Sequence, residues 1–301
     1  MFRRKPVSRS LDQNLLVSVL RLCVWLVLLS VIFVPIERLF ALYRQRIFRK
    51  AIRTDLAYYF ISGLIPGFLL GAPLALVAWL AHHAIPGALV SAVGTLPLWL
   101  RIVAALVVSD IGGYWGHRWT HEIPFLWRFH AIHHSAEQLD FLANTRAHPV
   151  DIVFTRLCGL IPLYVLGLAG PLVGSASLVP VVVLLLTVVW GFFIHANLRW
   201  RFGPLEWLVS TPAFHHWHHT NQGQPYVNKN YAALLPWVDR LFGTLYLPKH
   251  KRPARYGIDE PVPGSFLGQL ARPFLISQGR TASQAAAAQP YAAGQRPGDL
   301  L

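Results

Sequence analysis

Cysteine and charged residues are both scarce in this 301-residue chain. The two cysteines, Cys23 and Cys158, each lie within an apolar run, which excludes a CxxC metal or redox motif and argues against a disulfide framework. Any metal site must therefore use nitrogen and oxygen ligands. Charged residues make up 13% of the chain and hydrophobic residues 54%, a balance too apolar for an ordinary soluble domain.

Acidic residues are the scarcer of the two charged classes. The chain has 13 Asp and Glu against 27 Lys and Arg, which gives a formal net charge of +14. Such an excess of positive charge suits either nucleic acid or an anionic membrane surface. Long apolar runs decide between them, so we predict an integral membrane protein with no nucleic-acid partner.

Five apolar runs approach the roughly 20 residues that a helix needs to cross a bilayer. They cover residues 15–40, 56–81, 87–109, 152–170 and 174–194. Short turns join the second run to the third and the fourth to the fifth, so each pair is predicted to form a hairpin. The first run has no cleavage motif and is predicted to be retained, either as a crossing or as a partial, interfacial helix. We therefore predict an all-α integral membrane protein with about four to five transmembrane helices in hairpins and a cytosolic helical cap.

Each hairpin crosses the membrane twice and so returns the chain to the side on which it began. Three regions should therefore lie on one side of the membrane: the loop at 43–53, the segment 114–149 and everything after residue 195. The loop is rich in basic residues, namely Arg44, Arg46, Arg49, Lys50 and Arg53. Positive residues favour the cytoplasmic side of a membrane. The shared face is therefore predicted to be cytoplasmic.

Histidines gather on this face. Eleven of the 14 lie in the motifs "HRWTH", "HAIHH", "RAHP", "IHAN" and "HHWHH", and ten of these are candidate ligands: His117, His121, His130, His133, His134, His148, His195, His215, His218 and His219. Spacings of three and four place residues on one side of a helix, so each triplet is predicted to converge. So many imidazoles exceed the capacity of one ion and predict two metals, from among Zn, Cu, Fe and Ni. His216 lies about 100° round from His215 and is predicted not to be a ligand.

Familiar soluble metal motifs are missing from the sequence. No Glu has a His three residues later, as helical soluble di-iron proteins require, and no His-Glu-x-x-His is present. The histidine motifs, in this order and spacing, closely resemble the fatty acid hydroxylase superfamily, which includes sterol desaturases, sterol methyl oxidases and fatty acid 2-hydroxylases. The flanking stretches "DIGGYWGHRWTH" and "NKNYAALLPWVDRLFGTLY" are also similar, and the resemblance covers about residues 105–247.

This resemblance implies an all-histidine centre of two Fe ions at the cytosolic ends of a four-helix membrane core, activating O2 for C–H cleavage. The ten histidines would be its ligands, with His148 in an Arg-x-His-Pro motif as the less certain tenth. Some relatives carry a further His where this chain has Arg199. Neighbouring residues are expected to orient the imidazoles: Asp110, Asn144, Arg146, Asp151, Asn197 and Asp239. For Asp110 a capping or arginine-pairing role has equal weight, and Asn144 and Arg146 could equally hold the fold.

The chain is predicted to divide into an N-terminal segment (1–54), a catalytic domain (55–250) that carries the resemblance, and a C-terminal segment (251–301). From about residue 278 that segment is low in bulky apolar residues and is predicted to be disordered. The implied activity is hydroxylation or desaturation of a lipid, with electrons from a separate cytochrome b5-like or ferredoxin-type donor and its reductase. Sterols, fatty acyl lipids, ether lipids and carotenoids all remain possible substrates. The location would be a bacterial inner membrane, or the endoplasmic reticulum of a eukaryote.

Two alternatives belong to other classes. A metal transporter should carry its ligands within the hydrophobic spans, whereas these histidines flank them. A zinc-dependent membrane hydrolase needs a carboxylate base beside three ligands and an open position, a role for which Glu122 or Glu137 could serve.

Overall fold

The computed structural model describes residues 7–169 and 178–275, and within these ranges the chain is helical without a β-strand. The basic residues 3–5, the turn at 171–174 and the tail predicted from residue 278 lie outside the described residues. The α-helices are α1 (Val7–Leu39), α2 (Ile52–Ala84), α3 (Gly87–Gly94), α4 (Leu98–Glu122), α5 (Pro124–His134), α6 (Pro149–Val165), α7 (Leu178–His195), α8 (Pro212–His218), α9 (Pro236–Leu241) and α10 (Phe266–Leu275). Short 3-10 turns cover Phe141–Thr145 and Gly203–Trp207.

Four helices are long and apolar enough to cross a membrane: Asn14–Leu39 within α1, Ile52–Ala84, Leu98–Glu122 and Leu178–His195. The prediction of an all-α integral membrane protein with four to five spans is confirmed. The helix α1 has 33 residues, about 50 Å at 1.5 Å per residue, which is the length of a crossing rather than of a partial helix.

One predicted span is divided differently in the structure. The run 87–109 is not one helix, because α3 ends at Gly94 and α4 begins at Leu98. Pro97 lies at the break; its ring disfavours helical backbone at the preceding residue and it has no N–H to donate. Beyond residue 109, α4 continues to Glu122, so the first histidine motif belongs to the spanning helix itself.

Glycines bring α4 and α6 into close contact. A Cβ atom on Gly112 would overlap the carbonyl oxygen of Cys158, and one on Gly116 would lie 2.7 Å from the Cys158 Cβ. The spacing is the small-xxx-small pattern that lets membrane helices approach closely. This contact fixes the C-terminal half of α4, with its histidines, against the middle of α6.

The ends of the spanning helices meet on one face, which we call the histidine face. Asp55 at the start of α2 accepts a hydrogen bond from Arg146 Nε at 2.6 Å and also pairs with Arg49. Glu37 near the end of α1 accepts the N–H groups of Phe141 and Asn197 at 2.8 and 2.9 Å. The loop after α1, the segment before α6 and the chain after α7 are thus on the same side, as the hairpin count predicted.

Candidate metal centre

Nine histidines on the histidine face form two adjacent groups. In each group one nitrogen from every ring lies within 4.8 Å of the others. The five-histidine group contains His117, His121, His130, His134 and His218; the four-histidine group contains His133, His195, His215 and His219. All but the partly buried His117 are buried.

The two histidine triplets divide between the groups instead of converging as predicted. In α5, His130 and His134 enter the five-histidine group, while His133 enters the other. At α8 the i, i+4 pair His215 and His219 stays together, and His218 crosses to the five-histidine group. Around a helix axis, the residue four positions after the first is rotated by about 40° from it, and the residue three positions after it by about 60° in the opposite direction. Two metal sites lying side by side can therefore each take rings from the same helix.

Hydrogen bonds fix the rings that face each other in the five-histidine group. His117 Nδ1 lies 2.7 Å from the Tyr231 carbonyl oxygen, and His130 Nδ1 lies 3.0 Å from Asp151 Oδ2. The Tyr231 carbonyl oxygen can only accept, so His117 Nδ1 donates to it, and His130 Nδ1 donates to the Asp151 carboxylate when that group is ionised. The two Nε2 atoms are then left with bare lone pairs, 3.1 Å apart.

The four-histidine group repeats this arrangement. His133 Nδ1 donates to the Arg146 carbonyl at 3.0 Å, and His195 Nδ1 donates to the Gly191 carbonyl at 2.7 Å. Their Nε2 atoms face each other at 3.2 Å. The Nε2 atoms of His215 and His219 each lie 3.1 Å from that of His195.

The imidazoles outside the spans are held neutral. Burial, with a smaller contribution from neighbouring imidazoles, lowers the pKa well below its usual value near 6.5 for His130, His133, His134, His215, His218 and His219. Neutral rings whose bare nitrogens face each other in a buried space repel one another. A bound cation would turn this repulsion into coordination.

The donor set fits metal ions. Ligands about 2.1 Å from a metal lie about 3.0 Å apart in octahedral and about 3.4 Å apart in tetrahedral geometry, and the facing Nε2 atoms lie 3.0 to 3.2 Å apart. His121 Nε2 is buried with no hydrogen-bond partner among the described residues, which leaves it free to coordinate. Imidazole is a ligand for Fe, Zn, Cu and Ni.

Stacked rings place the two groups next to each other. The rings of His134 and His219, one from each group, stack with centroids 4.4 Å apart and an interplanar angle of 22°. Two ions held by the groups would therefore be neighbours in one centre.

Two other histidines on this face belong to neither group. His148 Nδ1 accepts the N–H of Val150 at 3.2 Å, and its Nε2 lies 3.3 Å from the Leu270 carbonyl, so both ring nitrogens are engaged in capping α6 and holding α10. His216 hydrogen-bonds Tyr256 Oη at 2.9 Å and the Ala196 carbonyl at 3.1 Å. Burial lowers the pKa of His216 to about 3, which keeps it neutral.

Of the six residues expected to orient imidazoles, two touch a ligand histidine by a hydrogen bond. Asp151 contacts His130 through its carboxylate, whereas Arg146 contacts His133 through its carbonyl and uses its guanidinium to bind Asp55. Asn144 lies beside Gly191, the residue whose carbonyl holds His195: a Cβ there would be 2.9 Å from Asn144 Oδ1.

The other three bind backbone instead of a ring. Asp110 accepts the N–H groups of Leu234 and Leu235 at 2.9 and 2.8 Å, at the start of α9. Asn197 pairs with both backbone groups of Tyr43. Their oxygens accept backbone N–H groups that have no helical partner, so they are not available to the rings.

Asp239 acts one step away from the centre. It accepts the N–H groups of Tyr231 and Ala232, both at 2.8 Å, and the Thr244 hydroxyl at 2.7 Å. The carbonyl of Tyr231 in turn holds His117. Asp239 therefore supports the backbone that orients a ring.

Backbone carbonyls are the partners that sequence reasoning missed. Tyr231, Lys229 and Gly191 accept from His117, His218 and His195, respectively. A carbonyl has no side-chain signature, although Lys229 and Tyr231 lie in the "NKNY" stretch that resembles the family tail.

Comparisons with known proteins agree with this geometry. Residues 102–244 match the fatty acid hydroxylase family model. The chain is 36% identical to ornithine lipid hydroxylase of Rhizobium tropici over 64% of its own length and 60% of the relative. Alkylglycerol monooxygenases of Xenopus tropicalis and Danio rerio are each 33% identical, over 51% and 54% of the chain but only 32% and 33% of their own lengths.

The chain thus spans about 60% of the first of these relatives and about a third of the other two. No solved structure gives a significant match. The matched region 102–244 contains all nine histidines of the two groups together with Asp151, Tyr231 and Asp239. Through residues 102–244 the chain is thus similar to the fatty acid hydroxylase family.

Proposed function

We propose that this chain is a membrane-bound non-haem di-iron oxygenase that hydroxylates or desaturates a lipid, using O2 and electrons from a separate donor. The observation that carries the proposal is the pair of facing bare Nε2 atoms in each group, 3.1 Å apart in one and 3.2 Å in the other. A cation between the two nitrogens of each pair would coordinate both lone pairs and remove their repulsion. Because the rings of His134 and His219 stack, the two cations would be neighbours.

The proposed ligands are the nine grouped histidines, without His148, whose two ring nitrogens are engaged elsewhere. Nitrogen donors alone would also accept zinc; the choice of iron rests on the similarity of residues 102–244 to the fatty acid hydroxylase family. Bound iron would supply O2 activation and C–H cleavage. The chain's own part is to hold the imidazoles in one tautomer and to keep the centre dry, since eight of the nine histidines are buried.

A lipid substrate is supported by the position of the centre and by the relatives. The histidine groups lie at the ends of helices that can cross a membrane, where a lipid can reach them from the bilayer. The names of the similar proteins, ornithine lipid hydroxylase and alkylglycerol monooxygenase, favour hydroxylation over desaturation for this chain. Lipids with a polar headgroup are accordingly the first substrates to test.

For the location, we propose the cytoplasmic face of a bacterial inner membrane. The loop between α1 and α2 joins the histidine face and carries four basic residues, and Arg53 follows in the first turn of α2. On that side, a cytochrome b5-like or ferredoxin-type protein with its reductase could deliver the electrons.

No specific observation favours the two alternatives. A transporter would place ligands along a path through the membrane, whereas both groups lie at helix ends. For a hydrolase, the proposed bases lie outside both groups: Glu122 pairs with Arg118 at 2.7 Å, and Glu137 is exposed.

Metal analysis combined with O2 uptake tests the proposal. The full chain, purified anaerobically from iron-supplemented cells, should hold two irons and consume O2 only when a reductant and a lipid extract are added. One zinc per chain with no O2 uptake would overturn the proposal. Comparing the lipids of cells that express the chain or its His218→Ala variant would then identify the substrate, since only the active chain should add oxygen or a double bond.

A further inference from the structure

A large cavity lies away from the histidine groups, between α1, the loop of residues 40–51 and the start of α2. Its volume is about 1490 Å³. Leu26, Ser30 and Val34, spaced four apart along one side of α1, line its apolar part together with Leu56 of α2. From Leu26 to Arg38 the cavity follows α1 for about 18 Å, which is comparable with the ~15 Å of one hydrocarbon leaflet.

Basic side chains line the part of the cavity formed by the loop of residues 40–51, which we call its mouth. Arg44, Arg46 and Lys50 line it, are exposed, and take part in none of the ion pairs within 7–169 and 178–275. Arg49 differs from them, because it is buried and paired with Asp55 and Asp140. Three cations are thus available to an anionic ligand.

Acidic side chains around the cavity are mostly engaged. Glu37 accepts two backbone N–H groups, and Glu260 pairs with Arg272 at 2.7 Å. Asp140 pairs with Arg49, which leaves the exposed Glu137 as the unpaired acid of the lining. Positive charge therefore prevails at the mouth.

The same loop presents apolar groups outward. Phe48 is 85% exposed and Ile47 is 43% exposed, between Arg46 and Lys50. Exposed apolar side chains alternating with cations are typical of a segment that lies in the headgroup region of a bilayer. The mouth of the cavity is thus placed where phospholipid headgroups are.

We propose that this cavity binds one anionic glycerophospholipid from the surrounding leaflet. Its phosphate contacts Arg44, Arg46 and Lys50, and an acyl chain lies along Leu26, Ser30 and Val34. The site is distinct from the metal centre: none of the nine grouped histidines is among its lining residues. Its wall includes Arg146, whose carbonyl holds His133, so a bound lipid would also support the four-histidine group.

Native mass spectrometry of the full chain tests this proposal. The chain is reconstituted in vesicles of equal parts phosphatidylglycerol and phosphatidylcholine, released in detergent, and its retained lipids are counted. We expect one retained phosphatidylglycerol in preference to phosphatidylcholine. The triple variant Arg44→Gln, Arg46→Gln, Lys50→Gln should lose that preference by about tenfold or more, because each basic residue contributes to attracting anionic lipid. Free glycerol phosphate should not compete, since it has no acyl chain.

A charge-matched variant is the control. Arg53→Gln, Lys249→Gln, Lys251→Gln removes the same charge from exposed positions outside the cavity lining and should keep the preference. Ser30→Phe fills the apolar part while leaving every charge, and should abolish retention of the lipid even if the triple variant fails to fold. Equal retention of both lipids by the unmodified chain, or unchanged retention in Ser30→Phe, would overturn the proposal. The readout needs no metal and no turnover, so it is independent of the oxygenase proposal.

Discussion

His117 and His130 place their Nε2 atoms 3.1 Å apart, and neither nitrogen can donate to the other. Their ring protons are already given to the Tyr231 carbonyl and the Asp151 carboxylate. A buried contact between two acceptors is unfavourable unless a cation lies between them. The metal-free chain should therefore be less stable than the metal-loaded chain.

Metal removal should consequently lower the thermal midpoint of unfolding. Binding to the folded state alone adds about 2.7 kcal/mol when free metal is 100-fold above its Kd. The measurement is tryptophan fluorescence of the detergent-purified chain during heating, before and after dialysis against a chelator. Adding back Fe(II) should restore the midpoint, and an unchanged midpoint after chelation would contradict the metal assignment of both groups.

Alanine substitution should lower the metal content of the chain at His218 but not at His216, two residues away. His218 Nε2 lies 3.0 Å from that of His134 inside the five-histidine group, so His218→Ala should lose metal and activity. His216→Ala should retain metal, but it leaves the Tyr256 hydroxyl and the Ala196 carbonyl without their partner, at a cost of about 1–3 kcal/mol of stability. Metal analysis and thermal unfolding measure the two effects separately. Equal metal loss in both variants would show that the assignment of His218 as a ligand and His216 as a supporting residue is wrong.

Helical spacing made much of this centre predictable from the sequence. Intervals of three and four between histidines brought together the grouped residues of α4, α5 and α8 and set His216 apart, whereas His195 has no histidine at such an interval and His148, predicted with the others, lies in neither group. Apolar runs and short turns likewise predicted that the helix ends would meet on one face. These features are local or follow from counting crossings, and they need no knowledge of how helices pack.

Features that depend on packing between distant segments were missed. The division of each triplet between two sites, as for His133 against His130 and His134, depends on where the neighbouring helix ends lie. For Asp110 a contact with a ring and a capping role had equal weight, and it accepts the N–H groups of Leu234 and Leu235, more than 120 residues away in sequence. Which donors a buried carboxylate binds depends on how the distant segments of the cap pack together.

Adjacent glycines in α4 provide a test of the contact with α6. A Cβ on Gly112 would overlap the backbone of Cys158, whereas nothing lies within 4 Å of a Cβ on Gly113. Gly112→Ala should separate α4 from α6 and reduce both stability and metal content, because His117 and Asp151 are carried on these two helices. Gly113→Ala should be tolerated and can gain up to about 1 kcal/mol from helix propensity.

Expression, thermal midpoint and bound metal of the two variants would be compared side by side. Similar losses for Gly112→Ala and Gly113→Ala would mean that helix packing at this glycine does not position the histidines.

Asp151 provides the sharpest test of how ring orientation controls metal binding. Its Oδ2 accepts His130 Nδ1–H at 3.0 Å, and the carboxylate is buried. In Asp151→Ala the ring loses this acceptor, so the proton can move to Nε2 and block the lone pair that faces His117. Loss of such a partner typically weakens metal affinity about 10–100-fold, and here the five-histidine group alone should be affected. Asp151→Asn keeps an acceptor oxygen and should lose less.

Competition with a chromophoric chelator would measure this, with one of the two metals expected to leave more readily. Asp110→Asn is the matched control, since it also neutralises a buried carboxylate on the same face but one that binds only backbone N–H groups. It should lower stability while both metals keep their affinity. If Asp110→Asn releases metal as readily as Asp151→Ala, loss of a buried charge rather than ring orientation governs metal retention, and the role assigned to Asp151 would be wrong.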